Sequence, residues 1–169
     1  SKYEIHCLIT KILNISVYLI FVLGLLFYLI PTKAPDISLN FIDGQTVDID
    51  SFKGKPLLVM FWSTTCSICL EEIPRLTKLY DELNKDGFEI IGIAMSYDPP
   101  NRVIALSEKK KIPYPIALDI SADAEIAFGK IKATPTNFLI SADGKIIQRF
   151  VGIMDIDSLR SKIKKLLQT

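Results

Sequence analysis

The amino-acid sequence predicts an α/β sandwich built on a mixed central sheet, and three observations lead to that prediction. Strand-like and helix-like segments alternate from residue 35 to the end of the chain. Two of the strand-like segments, Pro56–Trp62 and Phe88–Met95, are apolar runs of the kind expected for strands buried on both faces. Asp-Gly turns at positions 43–44 and 143–144 each connect two short strand-like segments, as in antiparallel hairpins.

The individual elements follow from apolar periodicity and from Gly, Pro and Asp at their ends. The predicted strands are Ser38–Phe41, Thr46–Ile49, Pro56–Trp62, Phe88–Met95, Pro115–Leu118, Thr136–Ile140 and Lys145–Val151. The predicted helices are Ile68–Asn84, Asn101–Lys111, Ala122–Phe128 and Asp155–Leu167. The 169 residues are enough for one domain with a substantial core. A formal net charge of +1 excludes a strongly basic nucleic-acid binder.

The N-terminal segment has a different composition. Residues 12–32 contain no charged side chain, and as a helix they would span roughly 31 Å, about the thickness of a bilayer's hydrocarbon core. We therefore predict three regions: a cytoplasmic N-terminus at 1–11, a transmembrane anchor at 12–32 and a folded domain at 35–169. Lys2 and Lys11 precede the span and Lys33 follows it, which favours a folded domain outside the cytoplasm.

Two alternatives to the anchor remain open. A cleaved signal peptide has a shorter apolar region and a small-residue cleavage site, and only Thr32-Lys33-Ala34 resembles one here. A helix buried in the core is the other alternative.

The reactive feature of the sequence is Cys66-Ser67-Ile68-Cys69, at the junction between a predicted buried strand and a predicted helix. Two intervening residues in a first helical turn allow the sulfurs to meet, and the helix N-terminus favours a thiolate on the first cysteine. That thiolate can attack a disulfide, and the second cysteine can then resolve the mixed disulfide. A zinc half-site and a static structural disulfide are the alternatives, but Cys7 and His6 lie on the far side of the predicted anchor.

These residues resemble those of a known family. Phe61-Trp62-Ser63-Thr64-Thr65-Cys66-Ser67-Ile68-Cys69, with Glu72 and Pro74 after it, is similar to the active-site region of thioredoxin-fold proteins, and within these of the membrane-anchored TlpA-like disulfide reductases. The resemblance extends over nearly all of the chain after Ala34, including Thr134-Pro135-Thr136. It implies a thioredoxin-like three-layer α/β/α sandwich with a mixed central sheet, an N-terminal β-hairpin extension and a central βα insertion, preceded by one transmembrane helix.

The resemblance also implies roles for particular residues. Cys66 would be the nucleophile and Cys69 the resolving cysteine. Pro135 would follow a cis peptide bond and form the substrate-binding groove with Thr134. Trp62 would also bind the substrate, and together with Phe61 it would form a wall beside the cysteines. Glu72 matches the position of a buried acid associated with proton transfer, although it could also be a solvated surface carboxylate like its neighbour Glu71.

Two positions depart from the family pattern. Met60 stands where thioredoxin has a buried Asp, and Thr65 stands where a Trp usually precedes the first cysteine. Both departures leave the redox potential open, and with it the choice between a reductase and an oxidase. A peroxiredoxin-like peroxidase and a copper-handling thioredoxin-fold module are the alternative functions. The first would require Pro and Thr at Val59 and Ser63, and the second a histidine in the folded domain.

The prediction is therefore an enzyme, a thiol:disulfide oxidoreductase anchored in the cytoplasmic membrane and facing the periplasm or the cell exterior. Its expected partners are protein disulfides and a transmembrane thiol electron donor. The residues imply no organic cofactor, no metal and no nucleic acid.

Overall fold

The structure is a computed structural model that describes residues 11, 14–25 and 32–168, in two compact units, Ser1–Thr32 and Lys33–Thr169. In the first unit residues 14–25 are helical, and all of their large apolar side chains except Val22 are more than half exposed. Among the described residues no helix has both the length and the apolar character needed to cross a membrane. Positions 12, 13 and 26–31 of the predicted anchor lie outside the described residues, as do His6 and Cys7.

The second unit contains seven strands and four α-helices. The strands are β1 (Ser38–Phe41), β2 (Thr46–Asp48), β3 (Leu57–Trp62), β4 (Glu89–Ala94), β5 (Ile116–Leu118), β6 (Thr136–Ile140) and β7 (Ile146–Val151). The helices are α1 (Ser67–Leu83), α2 (Pro100–Lys110), α3 (Asp123–Ala127) and α4 (Ile156–Leu166). Two short 3-10 helices, Ile49–Phe52 and Asn84–Asp86, complete the described elements.

The strands form one mixed sheet in the order β2-β1-β5-β4-β3-β6-β7. The three central strands, β5, β4 and β3, are parallel, and both ends of the sheet are antiparallel. The predicted mixed sheet and thioredoxin-like α/β fold are therefore confirmed. The predicted strand-plus-helix insertion corresponds to α2 and β5, and β5 lies between β4 and the N-terminal hairpin.

Side chains alternate between the two faces of the sheet, which separates the interior into two clusters. One cluster packs β3, β4 and β6 against α1, α2 and α4, and it contains Trp62 and Cys69. The other packs the opposite face against α3 and the 3-10 helix at Ile49–Phe52, and it contains Phe61. Helix α1 continues through Pro74 to Leu83, as the apolar spacing predicts.

Strand β2, the second strand of the N-terminal hairpin, is one residue shorter than predicted. Ile49 does not extend β2 but begins the 3-10 helix, where its buried side chain joins the core on the α3 face. The burial of Ile49 against the core accompanies the change from strand to 3-10 helix, and the alternation of apolar and polar residues in the sequence does not predict this change.

Candidate active site

Cys66 and Cys69 lie at the carboxyl end of the central strand β3, where the chain turns into α1. Cys66 is the N-cap residue of α1, and its Sγ accepts a hydrogen bond of 3.1 Å from the backbone N–H of Cys69. The two sulfurs are joined in a disulfide, with the Cα atoms 5.2 Å apart. Cys66 is half-buried, whereas Cys69 has no exposed surface. A partner can therefore approach Cys66 but not Cys69.

The loop before Cys66 is held by an acid that sequence analysis missed. Asp98, on the loop after β4, accepts hydrogen bonds from the backbone N–H of Thr64 at 2.5 Å and from the Thr64 hydroxyl at 2.6 Å. Because β3 and β4 are parallel, the loops that follow them meet at one edge of the sheet. The position of Asp98 just after a predicted buried strand was the available signal.

Glu72 is buried one turn beyond Cys69, with 1% of its surface exposed. Its Oε1 accepts a hydrogen bond of 2.7 Å from the backbone N–H of Met154, and its Oε2 has no hydrogen-bond partner among the described residues. Burial raises the pKa of Glu72, while the Met154 N–H and the Arg75 guanidinium act in the opposite direction. Glu71 is exposed. Of the two readings of Glu72 left open by the sequence, the structure supports the buried acid.

Tyr114 is a second buried titratable group near Glu72. Burial, and then the charge of Glu72, raise the pKa of its hydroxyl. Its ring meets that of Tyr80 edge-on, with centroids 5.8 Å apart. Burial and the charge of Glu72 thus both favour the neutral form of the Tyr114 hydroxyl.

Trp62 supports the cysteines from inside the core. It has 1% of its surface exposed, and its Nε1 packs so closely on Gly92 of β4 that a Cβ on Gly92 would lie 3.1 Å from it. The same Cβ would lie 2.7 Å from Ile116, so this position in β4 requires a residue without a side chain. Phe61 was expected beside Trp62 at the cysteine pair. That expectation is wrong, because successive residues of a strand face opposite sides of the sheet.

The Thr134–Pro135 peptide bond is cis, as predicted, and it lies at the same end of the sheet as Cys66. The register pairs Phe61 with Thr136, so the residues before Thr136 run beside those that follow Phe61. The carbonyl of Pro135 accepts a hydrogen bond of 2.9 Å from the N–H of Gly152. Within the described part of the chain, no hydrogen bond satisfies the backbone of the half-buried Thr134.

Residues 32–168 thus combine a three-layer sandwich, a disulfide of two cysteines at a helix N-terminus and a cis-proline at the adjoining strand. This combination belongs to the thioredoxin-fold proteins that exchange thiols and disulfides. In the described ranges no cluster of three or more His, Cys, Asp or Glu side chains could hold a metal ion.

The chain belongs to the Redoxin family, whose profile matches residues 31–167. A thiol-disulfide oxidoreductase of Bacillus thuringiensis subsp. konkukian, ResA, is 31% identical over 137 residues, which are 79% of this chain and 76% of the relative. The ResA protein of Geobacillus thermodenitrificans is 27% identical over 135 residues, or 80% of this chain and 76% of the relative.

Two solved structures that this chain resembles are also thioredoxin-family proteins that act on thiols and disulfides. A thioredoxin-family thiol:disulfide interchange protein of Chlorobium tepidum is 29% identical, has a TM-score of 0.74 and covers 82% of this chain and 97% of its own. The thioredoxin domain of a thiol-disulfide oxidoreductase from Bacteroides vulgatus is 28% identical, has a TM-score of 0.70 and covers 81% of this chain and 96% of its own. The protein is a thioredoxin-fold thiol–disulfide oxidoreductase.

The raised pKa of Glu72 makes a prediction about stability. A carboxyl group whose pKa is higher in the folded state stabilises the fold below its unfolded pKa, near 4.5, and this contribution is lost as pH rises through the folded value. Relative to Glu72→Gln, the wild-type protein should therefore lose stability with rising pH, by about 1.4 kcal/mol for each pH unit between the two pKa values. Urea unfolding of the oxidised proteins at pH values from about 4 to about 8 measures this difference.

The control for this prediction is Glu71→Gln, which removes one exposed negative charge at the adjacent position. Parallel stability curves for wild type and Glu72→Gln would show that burial of Glu72 does not raise its pKa.

Proposed function

We propose that this oxidoreductase reduces disulfide bonds of other proteins, with Cys66 as the nucleophile and Cys69 as the resolving cysteine. The observation that carries this assignment is the difference in exposure between the two residues. Cys66 is half-buried at the N-cap of α1, where backbone N–H groups favour a thiolate, and Cys69 has no exposed surface.

The reaction proceeds in two exchanges from the reduced enzyme. The Cys66 thiolate attacks one sulfur of the substrate disulfide, a mixed disulfide forms, and the other substrate sulfur leaves as a thiolate that takes up a proton. Cys69 then loses its proton and attacks the Cys66 sulfur, which releases the second substrate thiolate. Two electrons pass to the substrate, and Cys66 and Cys69 become a disulfide.

Glu72 is the proposed acceptor for the Cys69 proton. It lies one turn beyond Cys69 in the same helix, it is buried, and its Oε2 is free of other hydrogen bonds in the described structure. A buried carboxylate with a raised pKa is a stronger base than an exposed one, which suits proton removal from a thiol.

The substrate groove is proposed at Thr134 and Pro135. The backbone N–H and C=O of Thr134 are unpaired among the described residues, so an extended substrate segment could bond to them as an added strand. Trp62 would support this groove from the core and not touch the substrate, because its ring is almost completely buried.

A mixed-disulfide experiment tests the two cysteine roles. Cys69→Ser should accumulate a covalent complex between Cys66 and its partner that dithiothreitol releases, because no second thiol can resolve it. Cys66→Ser should trap little, since Cys69 is inaccessible. Non-reducing electrophoresis of the variants measures this, and mass spectrometry of the complex identifies the substrate. If Cys66→Ser formed a covalent complex with a partner and Cys69→Ser did not, Cys69 would be the nucleophile and Cys66 the resolving cysteine.

The redox potential of the Cys66–Cys69 couple tests the direction of electron flow. A reductase should have a potential near that of thioredoxin, about −270 mV, and equilibration with glutathione or dithiothreitol buffers measures it. A potential near about −120 mV would instead make the protein a donor of disulfides. In the reducing direction the oxidised enzyme needs a dithiol donor, and a transmembrane thiol carrier is the proposed partner.

A membrane-anchored position outside the cytoplasm is also part of this proposal. Residues 12–32 carry no charge, and the described helical part, residues 14–25, exposes most of its large apolar side chains. Two lysines precede the segment and one follows it closely, which favours a cytoplasmic N-terminus.

Cell fractionation tests the anchor. The full-length chain should sediment with membranes and resist carbonate extraction, and a reporter fused after Thr169 should be active only outside the cytoplasm. A soluble form that begins near Pro35 would contradict the anchor, and reporter activity in the cytoplasm would contradict the orientation.

A further inference from the structure

Asn137, the second residue of β6, is a buried amide without a partner. None of its surface is exposed, and neither its side-chain oxygen nor its side-chain nitrogen forms a hydrogen bond within the described part of the chain. Buried polar side chains in folded proteins are nearly always hydrogen-bonded to protein atoms or to internal water. The amide therefore indicates a polar site in this part of the core.

The strand register places Asn137 in the layer of the redox site. Asn137 is opposite Met60 in β3 and Phe150 in β7, and directly opposed residues of antiparallel strands share a face. Met60 and Phe150 belong to the cluster that packs against α1 and contains Cys69. Asn137 is also two residues beyond Pro135, at the end of β6 nearest the cysteines.

Glu72 supplies a second unpaired polar atom in the same layer. Its Oε1 is bonded to the N–H of Met154, which follows β7, and its Oε2 has no partner among the described residues. Val151, the last residue of β7, is opposite Thr136, so the Met154 loop lies at the same end of the sheet as Asn137. The charged group that acts on Glu72 is Arg75 of its own helix, and the charge of Glu72 in turn raises the pKa of Tyr114, which lies before β5.

The Nε1 of Trp62 is also buried without a partner among the described residues, but it lies on the other side of β3 from Asn137. It packs towards Gly92 of β4, and β4 adjoins β3 on the side away from β6. Among the described residues, Glu72 and Asn137 therefore carry the buried unpaired side-chain atoms on the β6 side of the layer.

We propose that Asn137 is a positioning residue for Glu72, and that its amide and the free Glu72 oxygen form one buried hydrogen-bonded unit closed by internal water. An amide suits this position because it carries both donors and an acceptor. It can donate to the ionised carboxylate and accept from the protonated acid, so the unit accommodates Glu72 before and after proton uptake.

The consequence for catalysis rests on the proposed function of Glu72. When the proton of Cys69 passes to Oε2 of Glu72, the electron pair stays on the Cys69 sulfur and attacks Cys66. The donor from Asn137 favours the charged carboxylate, so its loss should make Glu72 harder to ionise and reduce the fraction available as a base at low pH.

Direct titration of Glu72 tests the hydrogen-bonded unit without any measurement of activity. The full chain is labelled with ¹³C at glutamate carboxyl carbons, and the Glu72 signal is assigned by its loss in Glu72→Gln. Asn137→Leu should move the titration midpoint of Glu72 upward by about one pH unit, the size expected for one hydrogen bond to a charged group. An unchanged midpoint would overturn the proposal.

Two further variants separate this effect from a general disturbance of β6. Thr136→Val removes the neighbouring buried hydroxyl, which is bonded to the carbonyl of Ala133 and not to Glu72, so the midpoint should stay at the wild-type value. Asn137→Ser retains a donor and an acceptor and leaves room for water, so it should stay closer to wild type than Asn137→Leu. If Asn137→Leu does not fold, Asn137→Ala and Asn137→Ser are compared instead. A titration midpoint of Glu72 that is raised in Asn137→Ala but not in Asn137→Ser supports the proposal, and the same midpoint in both variants overturns it.

A kinetic arm distinguishes failure of this inference from failure of the proposed function. Reduced protein reacts with dithionitrobenzoate to give a Cys66 mixed disulfide, and release of the second thionitrobenzoate reports the attack by Cys69. The rate of this second release should fall at low pH as Glu72 becomes protonated. In Asn137→Leu the pH at which the rate falls should move upward together with the titration midpoint of Glu72, and in Glu72→Gln this fall should be absent. A shifted midpoint with an unshifted rate profile would support the unit but exclude Glu72 as the proton acceptor.

Discussion

The position of Cys66 at the end of a buried strand and at the beginning of a helix is the constraint on which the rest of the site depends. Strand β3 is buried along its whole length, is paired with β6 as far as Phe61 and is paired with β4 as far as Trp62, so the sheet holds the chain in place up to its last residue. The turn into α1 makes Cys66 the N-cap, and the helical spacing then carries Cys69 and Glu72 inward. The partly exposed sulfur of Cys66, the shielded sulfur of Cys69 and the buried acid Glu72 all follow from this one junction.

A buried acid in this layer is unfavourable for folding, and its surroundings compensate for only part of that cost. Removal of a carboxylate from water disfavours its charged form, and a single backbone N–H together with a nearby guanidinium offsets this incompletely. In the proposed mechanism the raised pKa of Glu72 suits proton exchange with a thiol, whose usual pKa is about 8.5. Stability given up at such a residue is typical of functional sites.

The loops at the carboxyl ends of the parallel strands complete the site from outside the core. Asp98 holds Thr64, and so constrains the chain just before Cys66 from the neighbouring strand's loop. On the other side of β3, the cis-proline segment lies at the start of β6. The half-buried Cys66 is thus placed between two segments that are distant from it in sequence.

The sequence by itself determined the fold class and the cysteine pair, because each has a local signal: apolar runs in the first case and two residues between cysteines in the second. The cis peptide bond before Pro135 was implied only by the resemblance to thioredoxin-fold proteins, since Thr-Pro before a strand does not specify it. The tertiary structure alone decided which acid is buried, since Glu71 and Glu72 are adjacent and differ only in the helix face they occupy. It also separated Phe61 from Trp62, and it brought Asp98 to Thr64 and Asn137 opposite Met60. Those contacts join distant residues through strand register, which no short stretch of sequence specifies.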